Sequence, residues 1–269
     1  MQLQVLKQEV RGIIMISCKL AGGLGNMMFQ IAATSAAGWK HGDESIYNFN
    51  EHIGMLHRLP KEYENTIFRK LRKSESPLPW PIMEYSDHPY KNIPYKKHQT
   101  WYGYFQSEKY FNKYREKILD LFDPTEETHT YIADKYGSIL NTNSVSIHIR
   151  RGDYIGLQDK HPILDQEYYQ KALGHINNID NILIFSDDPE WCKDNYDKSY
   201  TIIEEEDYIS LYIMAKCKHN IIANSSFSWW GAWLNLNKDK IVIAPQQWFG
   251  PGLSHINIQD LIPEGWLTI

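Results

Sequence analysis

The chain has 269 residues, of which 42% are hydrophobic and 23% are charged, and its formal net charge at pH 7 is -5. This length exceeds that of most single domains, so we predict two domains, each with its own core. A net negative charge argues against non-specific binding to nucleic acid, because that mode of binding needs a broad cationic surface. We therefore expect no nucleic-acid partner, and any phosphate site has to be local.

The cysteines and the amino-terminal residues indicate the cellular compartment of the protein. Cys18, Cys192 and Cys217 lie far apart and lack the spacing of metal ligands, which is typical of free thiols in a reducing environment. The amino-terminal residues lack the charged-then-apolar order of a signal peptide, and no apolar run approaches the ~20 residues of a membrane span. The sequence predicts a cytoplasmic protein without a disulfide or zinc site, whose first eleven residues form an extension.

The first recognisable unit is a strand, a glycine turn and a helix. Residues 12–20 form an apolar run that breaks into AGGLGN and continues with small and apolar residues at helical spacing. Gly25 lets the backbone approach a ligand closely, and a helix that opens at Asn26 would direct free N–H groups toward it. Such turns are also ordinary connections in α/β proteins, so this turn alone leaves a ligand site and a plain connection equally open.

The next segment, from about residue 42 to residue 100, is interrupted by repeated prolines and predicts no long regular element. Its scattered aromatic side chains suit a loop region that shapes a substrate cleft, or else an irregular structural excursion. A strand near residue 101, a helix that ends at Phe122 and a second helix around residues 126–139 follow it.

The strongest signal is the segment VSIHIRRGDY at residues 145–154, where an apolar strand ends in a cluster of charge. Gly152 predicts a sharp turn, and Asp153 lies within reach of Arg150 and Arg151, so one guanidinium can face a ligand while a carboxylate holds the other. Arginine suits phosphate because its planar guanidinium donates two parallel hydrogen bonds and stays charged at physiological pH. The segment predicts an anion site, the alternative being an ion-pair knot that ties the strand end to a loop.

Two further predicted strands end in polar side chains, at the edge where parallel sheets hold their ligands. Carboxylates at the end of the strand at residues 181–188 could form a metal site or an acid/base pair, or could serve the helix that starts at Pro189. Hydroxyl and N–H groups after the strand near residue 219 can cap a helix and also contact phosphate oxygens. The candidates are Ser186, Asp187 and Asp188 in the first turn and Asn224, Ser225, Ser226, Phe227 and Ser228 in the second.

Three other segments predict structural roles and not ligand contacts. Residues 204–207 predict a solvated acidic loop and helix start, Asp165 predicts a helix N-cap, and Trp229 and Trp233 share a helix face that predicts core packing. Alternating strands and helices predict an α/β protein with parallel sheets. We place the domain boundary after residue 139, with the nucleotide-binding domain at residues 140–269.

Five segments carry a family resemblance when they are taken in order: GGLGNMMFQ (22–30), GYFQSEKYF (103–111), HIRRGDY (148–154), FSDDPEWC (185–192) and CKHNIIANSSFSWWGAWL (217–234). Together they resemble the α1,2-fucosyltransferases of glycosyltransferase family 11, over nearly the whole chain except residues 42–100. The resemblance implies a GT-B fold of two Rossmann-like domains with parallel sheets facing a cleft, with an acceptor-side domain at residues 1–139 and a GDP-fucose-binding domain at residues 140–269. It also implies the transfer of L-fucose from GDP-fucose to the 2-hydroxyl of a galactoside, with inversion and without a cofactor or an obligatory metal.

The same resemblance implies roles for individual residues. Arg150 resembles the arginine that binds the GDP β-phosphate and neutralises the leaving group, and His148 resembles the neighbour on the nucleoside side. Arg151 with Asp153 resembles an ion pair that braces the loop, and Asn26 resembles an asparagine presented to the donor across the cleft. The turns at residues 186–188 and 225–228 resemble the remaining walls of the GDP site. The implied partners are GDP-fucose and a galactose-containing glycan, with peripheral contact to a lipid-linked glycan at the membrane.

Some alternatives stay open at this stage. The family has glutamine where this chain has Met27, so the role of a polar group at that position is open. A non-catalytic module that binds a nucleotide sugar or a glycan, or a fucosyltransferase of different linkage, would share the same motifs. Asp153 and Asp159 are the carboxylates nearest to the arginine motif that could act as a general base. We predict that no carboxylate base is essential, because a dissociative transition state needs little base.

Overall fold

The computed structural model describes residues 15–51, 58–85 and 88–269. The chain divides into two compact units, Met1–Asp123 and Pro124–Ile269. The predicted boundary after residue 139 therefore differs from the structure, because the helix at Glu126–Leu140 belongs to the second unit and packs there against the helix at Asp207–Lys216. The proposed extension at the amino terminus lies outside the described residues.

Parallel strands and intervening helices build both units. The helices are α1 Leu24–His41, α2 Arg115–Leu121, α3 Glu126–Leu140, α4 Gln166–Leu173, α5 Pro189–Asn195, α6 Asp207–Lys216 and α7 Ser226–Leu234. The strands are β1 Met15–Cys18, β2 Glu44–Ser45, β3 Ile82–Glu84, β4 Thr100–Tyr102, β5 Ser144–Ile149, β6 Asn181–Ser186, β7 Thr201–Ile203, β8 His219–Ile221, β9 Val242–Ala244 and β10 Leu267–Thr268.

The first unit contains a four-stranded parallel sheet in the order β2-β1-β4-β3. Helix α1 follows β1 and buries most of its length, because its residues are predominantly small and apolar. Within the described part of residues 42–100 the regular elements are only two to four residues long, as the proline pattern predicted. Phe111, Ile118 and Phe122 are fully buried and form the apolar face of α2 and the residues next to it.

The second unit contains a six-stranded parallel sheet in the order β10-β9-β8-β5-β6-β7. All six residues of the central strand β5 are buried, as expected for a parallel strand covered on both faces. Because β8 and β6 flank β5, the carboxyl ends of these three strands are neighbours at one edge. The sheet order therefore brings together the three polar turns that the sequence singled out.

Helix α7 forms much of the core beside β8. Trp229 and Trp233 are buried with their rings stacked 6.2 Å apart, which confirms that they belong to the core. The Trp229 indole N–H donates to the carbonyl of Leu261 at 2.8 Å, so this buried donor is satisfied. All three cysteines are free and buried, as the sequence predicted. Across the described ranges, no helix has both the length and the apolar character needed to cross a bilayer.

Candidate active site

The guanidinium of Arg150 lies directly after β5. It forms ion pairs with Asp153 (Nη2–Oδ1 2.8 Å) and with Asp187 (Nη1–Oδ2 3.2 Å). Its Cζ atom also lies 5.4 Å from the centre of the Tyr154 ring. Charge-assisted contacts of this kind fix the orientation of the planar group. The Arg150 side chain nevertheless keeps 19% of its surface exposed, so an anion can reach it from solvent.

Asp187, at the end of β6, holds the arginine turn from the neighbouring strand. Its Oδ1 atom accepts a hydrogen bond from the backbone N–H of Arg151 at 2.9 Å, while its Oδ2 atom contacts Arg150. A β-carbon on Gly152 would lie 2.5 Å from that same Oδ2 atom. Only glycine therefore lets the backbone pass this close to the carboxylate.

Arg151 is held by a different carboxylate from the one predicted. Its Nε atom pairs with Asp188 at 3.3 Å, and its guanidinium lies 3.8 Å from the centre of the Trp191 ring. The prediction that Arg151 pairs with Asp153 is wrong, because Asp153 pairs with Arg150. Carboxylates hold both arginines, whereas the sequence suggested that only one would be held.

Asp188 has the structural role that the sequence left as an alternative. Its Oδ1 atom accepts from the backbone N–H of Trp191 at 3.3 Å and so caps α5, which starts at Pro189. The backbone N–H of Asp188 donates to the Ser186 hydroxyl at 3.0 Å. This turn is thus tightly ordered by its own hydrogen bonds and by Arg151.

His148 is the last inward-facing polar residue of β5 and is 4% exposed. Burial and the nearby charge of Arg150 lower its pKa to about 3, although the Asp187 carboxylate acts in the opposite direction. The imidazole is therefore neutral at physiological pH. Its Nδ1 atom is buried and accepts or donates no hydrogen bond within the described residues.

The turn at residues 224–228 is brought next to β5. The Phe227 ring lies 5.6 Å from the His148 ring, and the Ser225 hydroxyl accepts from the Phe227 N–H at 3.3 Å, which confirms the predicted cap of α7. The Ser228 hydroxyl is buried and donates to the Ser225 carbonyl at 3.3 Å. Ser226 and Phe227 are the members of this turn that are only half-buried.

Asn224 fixes the turn to two distant loops. Its side-chain amide donates to the carbonyls of Pro162 and Trp248 at 3.0 and 3.1 Å. Its Oδ1 atom is buried without a hydrogen-bond partner among the residues that the structure describes. Asn224 and His148 therefore each leave one polar atom unsatisfied beside the arginine cluster.

Two aromatic residues that sequence reasoning missed support the cluster. The Tyr154 hydroxyl donates to the Asn224 carbonyl at 3.0 Å, and burial raises the pKa of this tyrosine to about 12. The ring of His161 stacks on Tyr154 at 5.0 Å, and burial lowers the pKa of His161. Tyr154 ends the HIRRGDY segment, so its position was visible in the sequence, but its partner at residue 224 was not.

The glycine turn of the first unit leads directly into helix α1. Helix α1 begins at Leu24, earlier than the predicted opening at Asn26. The Asn26 Oδ1 atom accepts from the Gln106 amide at 2.8 Å. Gly22 has a φ of 73°, and a β-carbon there would lie 2.4 Å from the Asn26 Nδ2 atom, so the turn requires glycine at this position.

The helical residues around this turn are internal. Gly25 is buried within α1, and the side chain of Met27, at the position where the family has glutamine, is fully buried. The nearby Gln30 supplies an amide oxygen that accepts from the Ala21 N–H at 2.9 Å. Contacts of Gly25 and Asn26 with a donor remain a prediction.

Glu205 and Asp159 both pack against neighbouring elements. Glu205 was expected in a solvated loop, but only 8% of its side chain is exposed, because Tyr131, Lys135 and Tyr136 of α3 all donate to its Oε1 atom. Asp159 packs against the loop at residues 250–252, whose Gly252 N–H donates to the Asp159 carbonyl at 2.8 Å.

No group of three or more His, Cys, Asp or Glu side chains in the described ranges is placed to hold a metal ion. Asp187 and Asp188 instead face the two arginines.

The sequence model of the family described as glycosyl transferase family 11 matches residues 3–269. The chain belongs to glycosyltransferase family 11. It is 31% identical to the O-antigen biosynthesis glycosyltransferase WbnK of Escherichia coli, with 95% of this chain and 100% of the relative covered. It is 30% identical to an alpha-1,2-colitosyltransferase of Escherichia coli, with 94% and 98% covered.

More distant relatives agree with this family. The chain is 25% identical to galactoside alpha-(1,2)-fucosyltransferase 2 of Pongo pygmaeus, with 84% of this chain and 70% of the relative covered. The fold is similar to that of the fucosyltransferase NodZ from Bradyrhizobium, with a TM-score of 0.57 at 9% identity, covering 82% of this chain and 91% of NodZ. The predicted α/β fold class of the GT-B type, with Rossmann-like units built on parallel sheets, is confirmed.

Proposed function

We propose that this family 11 enzyme is an inverting glycosyltransferase that moves L-fucose from GDP-fucose to the 2-hydroxyl of a terminal galactoside. The observation that carries the proposal is Arg150, whose guanidinium is fixed by two carboxylates at the end of β5 and stays partly exposed. Relatives described as alpha-1,2-colitosyltransferase and galactoside alpha-(1,2)-fucosyltransferase 2 support the α1,2 linkage.

Arg150 would stabilise the leaving group. Glycosyl transfer passes through an oxocarbenium-like transition state that leaves negative charge on the departing diphosphate, and a fixed cation there contributes several kcal/mol. Phe227 at the start of α7 packs against His148, so the N–H groups of this helix start would add positive partial charge at the same end of β5. Asp153 is 40% exposed, compared with 21% for Asp187, so the diphosphate would replace Asp153 on the guanidinium while Asp187 stays in place.

Neutral His148 fits the nucleoside side of this site. A protonated His148 would repel the guanidinium of Arg150, which is the group that binds the diphosphate. A neutral His148 causes no such repulsion, so the positive charge of the site stays on the arginines. The half-buried Phe227 next to it offers an apolar surface. These contacts support the assignment of the turn at residues 224–228 to the donor.

We propose that catalysis needs no metal or other cofactor, because arginines and helix N–H groups supply the positive charge at the phosphates. Activity should survive incubation with EDTA. Complete loss of activity in EDTA, restored by manganese or magnesium, would refute this and make Asp187 and Asp188 metal ligands.

No carboxylate is proposed as an essential base. A dissociative transition state breaks the glycosidic bond ahead of attack, so the acceptor proton can leave late. Asp159→Asn should keep most of its turnover. If this variant binds GDP normally and loses roughly 10³-fold in turnover, within the range of general-base catalysis, Asp159 is the base.

The decisive test is product analysis. GDP-fucose is incubated with a methyl β-galactoside, GDP release is followed, and the anomeric configuration and linkage of the product are determined by NMR. An α1,2-linked fucoside supports the proposal, and binding of donor and acceptor without GDP release would indicate a non-catalytic module. The colitosyltransferase relative favours a colitose donor as the second candidate, so GDP-colitose is assayed in parallel.

The likeness to WbnK, an O-antigen biosynthesis glycosyltransferase, supports a surface polysaccharide as the acceptor. We place the reaction in the cytoplasm, with the acceptor carried on a lipid at the membrane. Fractionation of cells that express the chain, followed by activity assays of the soluble and membrane fractions, tests this placement.

A further inference from the structure

A second concave site lies within the second unit, beyond the carboxyl end of β9. It is a cavity of about 370 Å³ formed by the segment at residues 246–258. It is lined by two aromatic residues, the buried Trp248 and the half-buried Phe249, and its other lining residues carry amides, one hydroxyl and aliphatic groups. None of the residues assigned above to the donor site lines this cavity.

The walls of this cavity connect to the arginine cluster by direct contacts. The Trp248 carbonyl accepts from Asn224, whose own carbonyl accepts from Tyr154. The Phe249 ring lies 5.8 Å from the His161 ring, which stacks on Tyr154. In the sheet, β9 is two strands from β5, which corresponds to about 10 Å. A molecule in the cavity would therefore lie beside Asn224 and His161, which contact the Tyr154 ring and hydroxyl next to Arg150.

The segment that forms the cavity is held firmly in place. The N–H groups of Gly250 and Gly252 donate to the carbonyls of Lys160 and Asp159, both at 2.8 Å. A β-carbon on Gly250 would lie 2.4 Å from the Asp159 carbonyl oxygen, so the two loops pack backbone against backbone. The cavity wall is therefore preformed, as binding sites for small molecules usually are.

The chemistry of the lining selects the class of ligand. The exposed amide of Gln246 and the hydroxyl of Ser254 can hydrogen-bond to hydroxyl groups, whereas the Gln247 amide nitrogen donates to the Phe249 carbonyl at 3.3 Å. The half-buried ring of Phe249 suits the C–H face of a sugar. The Gln246 side chain is exposed, so a ligand can reach its amide. None of the lining residues carries a formal charge, so an acidic sugar or a phosphate would find no counter-ion there.

We propose that this cavity is the acceptor subsite and holds an uncharged sugar unit of the acceptor glycan. The inference rests on the proposed function, because it assigns the second substrate of the same reaction. It predicts that neutral β-galactosides are acceptors and that glycans carrying an acidic sugar at this subsite are excluded.

Two variants test the subsite, one that removes a contact and one that fills the cavity. Gln246→Ala should raise the KM for N-acetyllactosamine about 3- to 10-fold, the effect expected for one uncharged hydrogen bond, and Ser254→Trp should raise it further. Neither variant should change the KM for GDP-fucose. Gln259→Ala is the matched control, because this exposed glutamine lies on the same segment and does not line the cavity.

Binding of N-acetyllactosamine is also measured directly by saturation-transfer NMR, so that the result does not depend on turnover. Wild-type binding that Gln246→Ala weakens, without any transfer, supports the subsite and refutes the proposed function. Normal transfer with an unchanged acceptor KM in both variants overturns the subsite and leaves the proposed function intact. If Ser254→Trp abolishes only the advantage of an octyl glycoside over the free sugar, the cavity holds a lipid chain and the sugar assignment is wrong.

Discussion

Asp187 determines how Arg150 is presented, because one carboxylate holds both the guanidinium of Arg150 and the backbone N–H of Arg151. Asp187→Asn keeps the shape of the side chain but removes its charge. We expect GDP binding to weaken about 10- to 100-fold, which corresponds to the loss of one or two charge-assisted hydrogen bonds. Calorimetric titration with GDP measures this change.

The matched control for that titration is Asp194→Asn, which alters an exposed aspartate on α5 away from the arginine cluster. It should bind GDP as the wild type does. An unchanged affinity in a folded Asp187→Asn protein would show that Arg150 is positioned without it.

His148 should make the stability of the fold depend on pH. Burial and the charge of Arg150 lower its pKa from 6.5 to about 3, so the unfolded chain binds a proton that the folded chain does not between these values. The free energy of unfolding should therefore rise with pH across this window. Urea denaturation at pH 4.5 and pH 7 should show a smaller difference for His148→Gln than for the wild type.

His175 serves as the control, since this exposed histidine lies at the end of α4 and away from the arginine cluster. His175→Gln should keep the wild-type difference between the two pH values. An equal difference in the wild type and in His148→Gln would mean that His148 does not carry the effect.

At the residue scale, the sequence predicted which side chains gather but not which pairs they form. Arg150, His148 and Asp187 end adjacent strands, and strand ends can be read from the apolar pattern. The partners depend on the fact that β6 lies beside β5, which places Asp188 next to Arg151. Strand order in a parallel sheet is not written in the local sequence, so the predicted pairing of Arg151 with Asp153 was wrong.

At the scale of elements, Glu205 joins the loop before α6 to helix α3. Burial alone would raise the pKa of this carboxyl group, but hydrogen bonds from Lys135, Tyr136 and Tyr131 outweigh burial and lower it. Glu205→Gln should reduce the free energy of unfolding by about 1–3 kcal/mol, because it weakens a buried carboxylate that accepts from three donors. Chemical denaturation at pH 7 measures the loss.

The ion pair between Glu205 and Lys135 makes the free energy of unfolding depend on pH. A lowered pKa in the folded state means that the stabilisation is present above the ordinary glutamate value of 4.5 and is lost as the pH falls through the folded-state pKa. Glu204→Gln is the matched control, because the neighbouring Glu204 is 51% exposed and pairs with Lys193. Equal stability of the Glu204 and Glu205 variants would contradict this account.

The long elements were predictable because their hydrophobic period is unambiguous. The structure has α3 at Glu126–Leu140, within one residue of the predicted range 126–139, and has β5, β6 and α7 in the segments where two strands and a helix were predicted. Glu205 shows where such reasoning ends: a run of acidic residues normally favours solvent, and its three donors lie about seventy residues earlier on α3.

For the whole molecule, the repeated order of strand, turn and helix was enough to predict parallel sheets in two units. The boundary was placed too late because α3 precedes the central strand and shows no composition shift that assigns it to either unit. Helix α3 belongs to the second unit because it packs against α6. The cavity at residues 246–258 was not predicted either, since its lining contains no motif with recognisable chemistry.

The central claim is that Arg150 binds the β-phosphate of the donor. The measurement is a calorimetric titration of GDP and of GMP, which lacks that phosphate, into the wild type and Arg150→Lys. Arg72→Lys serves as the control because Arg72 pairs with Glu44 on the surface of the first unit. Lysine keeps the charge but cannot donate the planar pair of hydrogen bonds.

We predict that Arg150→Lys loses most of the preference for GDP over GMP, while GMP affinity and the Arg72→Lys control stay unchanged. Its turnover should fall by about 10²-fold or more, as for the removal of one preorganised donor to a developing anion. A folded Arg150→Lys protein that retains the wild-type ratio of GDP to GMP affinity and near-normal turnover would contradict the account.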